Sequence, residues 1–168
     1  AFFVDAGLSY DGPPTANFSG LGHLEGATVA ILADGAVMGQ QKVVGGAVTL
    51  DVKASKVHIG LPITADMMTL PLAYAAEAYG QGRQKNLNEV HFRIFESSAV
   101  MAGPGFDKLT PWKQRTTEPY GSPPNLRTEE VSLVLTPRWA SGGQVCIRQA
   151  DPLPLTVLNM TLDFVAGG

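Results

Sequence analysis

The chain has 168 residues, of which 45% are hydrophobic and only 16% charged, and its formal net charge is −3. This length suits one domain, or two small ones that share a core, with ample apolar material for a packed interior. The 12 Lys and Arg residues are scattered, which argues against a protein that grips nucleic acid, because phosphate binding needs clustered cations. No segment approaches the roughly 20 apolar residues of a membrane-spanning helix. The single cysteine, Cys146, excludes an intramolecular disulfide and is predicted to be a buried thiol in an apolar strand.

The first residues already have the composition of a β-strand. Ala1–Leu8 is predicted to form it, and Asp11–Pro14 is predicted to end it in a turn, because Gly and Pro adopt backbone angles that strands rarely use. The chain starts without Met and without a signal peptide, which is typical of a region taken from a longer polypeptide.

Residues 20–63 are predicted to form a small β-barrel or sandwich. Gly26–Gly35 is a strand that ends in the turn Asp34-Gly35, a strong hairpin signal. Three more short strands are predicted at Lys42–Val44, Ala47–Val52 and Lys56–Leu61. Four short strands need a shared core, and its predicted members are Val29, Ile31, Val48, Leu50, Val57 and Ile59.

Residues 1–19 and 64–168 are predicted to form a second antiparallel β-sandwich, on which the first subdomain packs. Leu72–Tyr79 fits a short helix and a strand equally well. Asn88–Phe95 is a strand with alternating apolar residues, and residues 103–125 form a long Pro-rich loop of a kind that is usually functional or disordered.

Three further strands are predicted toward the end of the chain, at Glu130–Leu135, Gln144–Arg148 and Thr156–Val165. The last has the clearest alternation. One face is predicted to carry Leu158, Met160, Leu162 and Phe164, and the other Asn159, Thr161 and Asp163. The predicted fold class is therefore mainly β.

The sequence offers little that indicates catalysis or metal binding. His23 and Glu25 fall on one side of an extended segment, but a zinc site needs three or four ligands, and His58 and His91 stand alone in predicted strands. No nucleophile, phosphate-loop or zinc-protease motif is present. We therefore predict no catalytic, cofactor-binding or metal-binding residues and no cofactor.

Two alternatives remain open at this level. Glycosidase carboxylates need two acids brought together in space, and the acids considered are Asp5, Asp11, Glu25 and Asp34. A glycan-binding surface needs exposed aromatic residues, whereas core packing is their commoner fate. The aromatic residues considered are Tyr10, Phe18, Trp112 and Tyr120.

An ordered series of segments carries a more specific signal than any of these motifs. The segments are Phe2–Asp11, Gly20–Gly26, Thr28–Gly35, Val57–Pro62, Thr69–Pro71 and Val145–Leu158. The most distinctive parts are Leu24–Gly26 with Ala33–Gly35, and Asp151–Leu155. Together they resemble the C-terminal region of the tail tubular, or nozzle, proteins of short-tailed bacteriophages and related prophages.

The resemblance implies a β-rich subunit of a ring, commonly sixfold, in the lower tail tube through which DNA leaves the particle. The implied partners are copies of the same chain and other tail proteins, while DNA passes without specific binding and no membrane anchor is expected. The implied location is the virion tail, after synthesis in the bacterial cytoplasm. The low charge of the chain fits surfaces that are covered by neighbouring subunits. The alternative function is a β-sandwich module of the tail that binds a glycan or another host-surface structure.

Overall fold

A computed structural model describes residues 3–73, 82–113, 118 and 122–167. Almost every regular element in these residues is a strand, so the predicted mainly β fold class is confirmed. The strands are β1 (Val4–Ser19), β2 (Thr28–Ala33), β3 (Ala36–Lys42), β4 (Ala47–Pro62), β5 (Ala65–Met68), β6 (Lys85–Ile94), β7 (Met101–Gly103), β8 (Thr110–Pro111), β9 (Glu130–Val134), β10 (Trp139–Ala140), β11 (Cys146–Gln149) and β12 (Val157–Ala166). A single 3-10 turn covers Gly22–Leu24.

The chain divides into two compact units. Unit 1 comprises Ala1–Thr64, Arg115–Asn125 and Ala150–Pro154, and unit 2 comprises Ala65–Gln114, Leu126–Gln149 and Leu155–Gly168. The prediction assigned residues 1–19 to the second subdomain, and this assignment is wrong, because β1 pairs along its length with β4.

Unit 1 contains an open antiparallel sheet of four strands in the order β1-β4-β2-β3. Its described strands do not close into a barrel. Of the two forms predicted for this subdomain, barrel and sandwich, the structure therefore does not show the barrel. The β1–β4 register shifts at several bulges, including one between Asp11 and Thr15. Bulges bend a strand and strengthen its twist, so the long sheet curls over its own core.

The predicted turn at Asp11–Pro14 is wrong, since β1 continues through these residues to Ser19. Pro13 and Pro14 fall on an edge strand and within a register shift, where the missing N–H groups break no interior ladder. The short strands predicted at Ala47–Val52 and Lys56–Leu61 are likewise parts of one strand, β4. The strand predicted at Lys42–Val44 instead runs earlier, as β3.

The predicted hairpin at Asp34-Gly35 is confirmed. Both residues have positive φ, 47° and 81°, as a two-residue turn between twisted strands requires. The Asp34 carboxylate also accepts hydrogen bonds from the backbone N–H groups of Ser55 (3.1 Å) and Lys56 (2.8 Å). The turn that joins β2 to β3 is thereby tied to β4.

The core of unit 1 contains every predicted member. Val29, Ile31, Val57 and Ile59 are fully buried. Val48 and Leu50 are 4% exposed. Period-two alternation located these residues correctly although it divided β4 into two strands.

Unit 2 is a sandwich of two antiparallel sheets. One sheet has β6 at its centre, with β12 on one side and β9 and β10 on the other; the second has the order β5-β11-β7-β8. Both sheets contribute to one core, in which Phe92 of β6 and Ala102 of β7 are fully buried. The long segment 103–125 contains the short strand β8 and is described only in part, and the ambiguous segment Leu72–Tyr79 lies mostly outside the described residues.

The alternation predicted for the last strand holds from Asn159 onward and fails before it. A bulge lies between Val157 and Asn159, which pair with Ile94 and Arg93 respectively. Leu158 is therefore displaced to the exposed side, where it is 61% exposed, and Val157 packs against the core in its place.

The Asp34 carboxylate generates a stability prediction. Asp34→Ala removes the acceptor of two backbone N–H groups and places an alanine at a positive φ. We expect the free energy of unfolding to fall by about 1–3 kcal/mol, measured by urea denaturation. Asp34→Asn, which keeps one acceptor and tolerates this backbone conformation, should lose less. Equal losses in the two variants would contradict the role given to the carboxylate.

Candidate functional site

Unit 2 contains an open cavity of about 410 Å³ beside the sheet that holds β5 and β11. Its apolar surface comes from Met68, Phe106 and Cys146, and its polar surface from Arg138 and Gln144. A cavity of this size accepts a small molecule or a side chain from a partner protein.

Hydrogen bonds between side chains and the backbone fix the wall formed by residues 140–144. The Gln144 side-chain amide donates to the carbonyl of Thr69 (2.8 Å), and the Thr69 hydroxyl accepts from the N–H of Val145 (3.0 Å). The ammonium of Lys85, whose side chain is fully buried, donates to the carbonyl of Ser141 (2.7 Å). The wall is thus held from both of its ends.

Two Arg–Asp pairs border the cavity. Arg148 binds Asp66 through two hydrogen bonds of 2.7 Å, and its guanidinium lies 5.1 Å from the ring centre of Phe106. Arg138 donates to Asp107 at 3.1 Å. The hydrogen bonds from Arg148 lower the pKa of the Asp66 carboxyl group, which stays ionised at neutral pH. Because each guanidinium is paired with a carboxylate, the rim has little net charge.

Gly105 lies close to one of these pairs. A Cβ atom at this position would crowd the ends of the Asp107 and Arg138 side chains. Both side chains are partly exposed, so a larger residue at position 105 would shift the pair.

Cys146 lies at the cavity and is only 2% exposed. Burial raises the pKa of its thiol, so at neutral pH it is protonated and a poor nucleophile. The prediction of an ordinary buried thiol in a strand is confirmed by its burial in β11.

The three His residues considered for a metal site each contact a group of their own unit. A ring nitrogen of His23 lies 2.8 Å from the carbonyl oxygen of Ala6, and His58 lies 2.7 Å from the hydroxyl of Ser9. His91 approaches Glu89 at 3.9 Å. Within the described ranges, no group of three or more potential ligands is close enough to hold a metal ion.

The acids considered for glycoside hydrolysis have contacts within turns and between paired strands. Glu25 accepts hydrogen bonds from the N–H groups of Gly45 (3.0 Å) and Gly46 (2.6 Å), which form the turn between β3 and β4. Asp11 pairs with Lys56 at 3.4 Å, and the Asp5 carboxylate accepts from the adjacent Ala6 N–H. Together with Asp34 in its hairpin, these contacts give each acid a structural partner.

The aromatic residues considered for glycan binding pack into the cores. Tyr10 and Phe18 form an edge-to-face pair with ring centres 5.3 Å apart, and both belong to the core of unit 1. Trp112 packs against the core of unit 2. Tyr120 lies outside the described residues.

Local sequence patterns did not predict the cavity and its ion pairs. Asp66 and Arg148 are 82 positions apart and neither belongs to a motif, so only the pairing of β5 with β11 brings them together. The one available signal was the Gly-rich segment at residues 141–143, which precedes β11.

No protein-family model matches the chain, and the search of curated proteins found no relative. In the described part of the chain, no helix is long and apolar enough to cross a membrane.

The Asp66–Arg148 pair predicts a pH-dependent contribution to stability. Since the folded-state pKa of Asp66 is lowered, the pair stabilises the fold above the pKa of the unfolded chain and ceases to do so as pH falls through the folded-state value. Asp66→Asn should therefore lower the urea midpoint at about pH 7 and have less effect near about pH 3. Asp51→Asn, at an exposed position of β4, is the control. An Asp66→Asn effect that is equal at both pH values would exclude an ionic contribution.

The reaction rate of the buried Cys146 thiol provides a second test of unit 2. We expect Cys146 in the folded chain to react with a disulfide reagent at about pH 8 at least tenfold more slowly than in the urea-unfolded chain. Absorbance of the released thiolate measures both rates. Equal rates would show that the thiol is accessible in the folded chain, which would contradict its burial beside the cavity.

Proposed function

We propose that this protein is a structural component of a bacteriophage tail, a nozzle or tail-tube subunit that acts by assembling with copies of itself and other tail proteins around the DNA exit channel. The proposal starts from the resemblance of the ordered segments to tail nozzle proteins. What the structure adds in its support is an all-β fold in which the four acids considered for catalysis and the three histidines contact neighbouring groups of the fold.

The observation that carries the proposal is the open edge of the unit 2 sandwich. In the described residues, β12 has β6 on one side and no strand on the other. Unpaired strand edges recruit other chains unless they are blocked. Such an edge suits a subunit that is completed by assembly.

The charge distribution agrees with a conduit past which DNA moves. Only 16% of the residues are charged and the net charge is −3. The arginines at the cavity are neutralised by Asp66 and Asp107. A surface without a basic stripe does not bind the phosphate backbone strongly, so it would not retard a passing duplex.

The cavity of unit 2 favours a second candidate, binding of a host-surface glycan. Phe106 is 37% exposed beside Arg138 and Gln144. An aromatic face with neighbouring hydrogen-bond donors is a common arrangement for holding a sugar ring. In this alternative, Phe106→Ala removes binding of host-surface polysaccharide to the isolated chain and leaves incorporation into particles unchanged.

Immunogold electron microscopy tests the proposed function. Antibody raised against this chain is applied to phage particles purified from the infected or induced source culture, with antibody against the major capsid protein as the control. Gold confined to the distal tail is the expected result. Particles without tail label, from lysates in which the chain is abundant, would contradict a structural role in the virion.

A further inference from the structure

The cavity of unit 2 has a cation in its wall. Among the described residues that line it, Arg138 is the only charged one. Asp107, the carboxylate that pairs with Arg138, does not belong to the lining residues. A ligand in this cavity therefore meets a guanidinium and no carboxylate, which favours a ligand with strong hydrogen-bond acceptors.

The guanidinium of Arg138 is only partly occupied. In the described part of the chain it donates through Nη1 to Asp107 at 3.1 Å, which leaves Nε and Nη2 for a ligand. The neighbouring Arg148 uses these same two nitrogens, Nε and Nη2, to bind both oxygens of Asp66, each at 2.7 Å. The unoccupied fork of Arg138 therefore matches the two oxygens of a carboxylate.

Asp107 does not prevent a second carboxylate from binding Arg138. The pair has a single hydrogen bond, and the Arg138 and Asp107 side chains are 45% and 64% exposed, so water screens the charge of Asp107. Since the rim has little net charge, selection of a ligand depends on the geometry of the fork rather than on long-range attraction.

Phe106 provides an aromatic surface beside this fork. Its ring lines the cavity and is 37% exposed. The guanidinium of Arg148 lies 5.1 Å from the ring centre, but Arg148 does not line the cavity. Arg148, fixed by Asp66, thus supports the ring from outside the cavity, and the exposed part of the ring can contact the apolar C–H face of a sugar.

The remaining wall suits a ring that has both apolar and polar edges. Met68 and Cys146 lie opposite each other in the pairing of β5 with β11, so their side chains are on one face of the sheet, and both line the cavity. The hydroxyl of Ser141 and the amide of Gln144 also belong to the lining residues and can bind hydroxyl groups.

We propose that this cavity binds a sugar residue that carries a carboxylate, a hexuronic acid of an acidic surface polysaccharide. The carboxylate binds Nε and Nη2 of Arg138, and the C–H face of the sugar ring lies against Phe106. The inference rests on the second candidate function, glycan binding, and names the class of its ligand. A neutral hexose has the same ring, but its hydroxymethyl group offers the fork one uncharged oxygen in place of a carboxylate.

Two matched sugars test the inference. The whole chain is titrated with methyl β-glucuronide and with methyl β-glucoside, and binding is read from the backbone amide NMR signals of residues 141–146. We expect the Kd of the glucuronide to be at least about fivefold lower than that of the glucoside. Arg138→Gln should abolish this difference. Arg93→Gln, at an exposed position of β6 outside the cavity, is the matched control and should retain it.

Equal affinity for the two sugars in the parent chain would overturn the inference while leaving glycan binding in place. Binding of neither sugar would overturn both, and the immunogold test of the tail location would be unaffected. Acetyl-leucine, titrated in parallel, carries a carboxylate on an apolar body without a sugar ring. Tighter binding of acetyl-leucine than of the glucuronide would overturn the inference in favour of a protein C-terminus. These comparisons use the parent chain and do not depend on the folding of Arg138→Gln.

Discussion

The strand β6 has to be paired on both sides before the core of unit 2 can close, and the rest of this unit depends on that pairing. Val90 and Phe92 on β6 are fully buried because β9 and β12 flank them. Val131 and Leu133 of β9 are buried, whereas Met160 and Leu162 of β12 are only partly buried. In the proposed assembly, the β12 side is the part of this core that a neighbouring chain would complete.

The sequence predicted the elements whose signals are local. Alternation located the inward residues of β6, and the dipeptide Asp34-Gly35 identified its hairpin, because both signals are contained in a few consecutive residues. The sequence did not predict the features that depend on the register between paired strands. The bulge that displaces Leu158 depends on pairing with Arg93 and Ile94, which no local pattern records.

The same distinction explains the errors at the start of the chain and at the candidate site. Pro13 and Pro14 predict a turn by composition, but an edge strand accommodates them at a register shift. Assignment of residues 1–19 to the wrong unit followed, since the pairing of β1 with β4 spans distant parts of the sequence. The ion pair beside the cavity arises in the same way, because Asp66 and Arg148 meet only through the pairing of β5 with β11.

The proposed function requires that assembly covers the side of β12 on which no described strand lies. Hydrogen–deuterium exchange tests this requirement by comparing backbone amides of residues 159–165 in the isolated chain and in purified phage particles. Slower exchange of this segment in particles is the expected result. Residues of β6, which is paired on both sides, should change little. Equal exchange of residues 159–165 in the two states would contradict the proposed function.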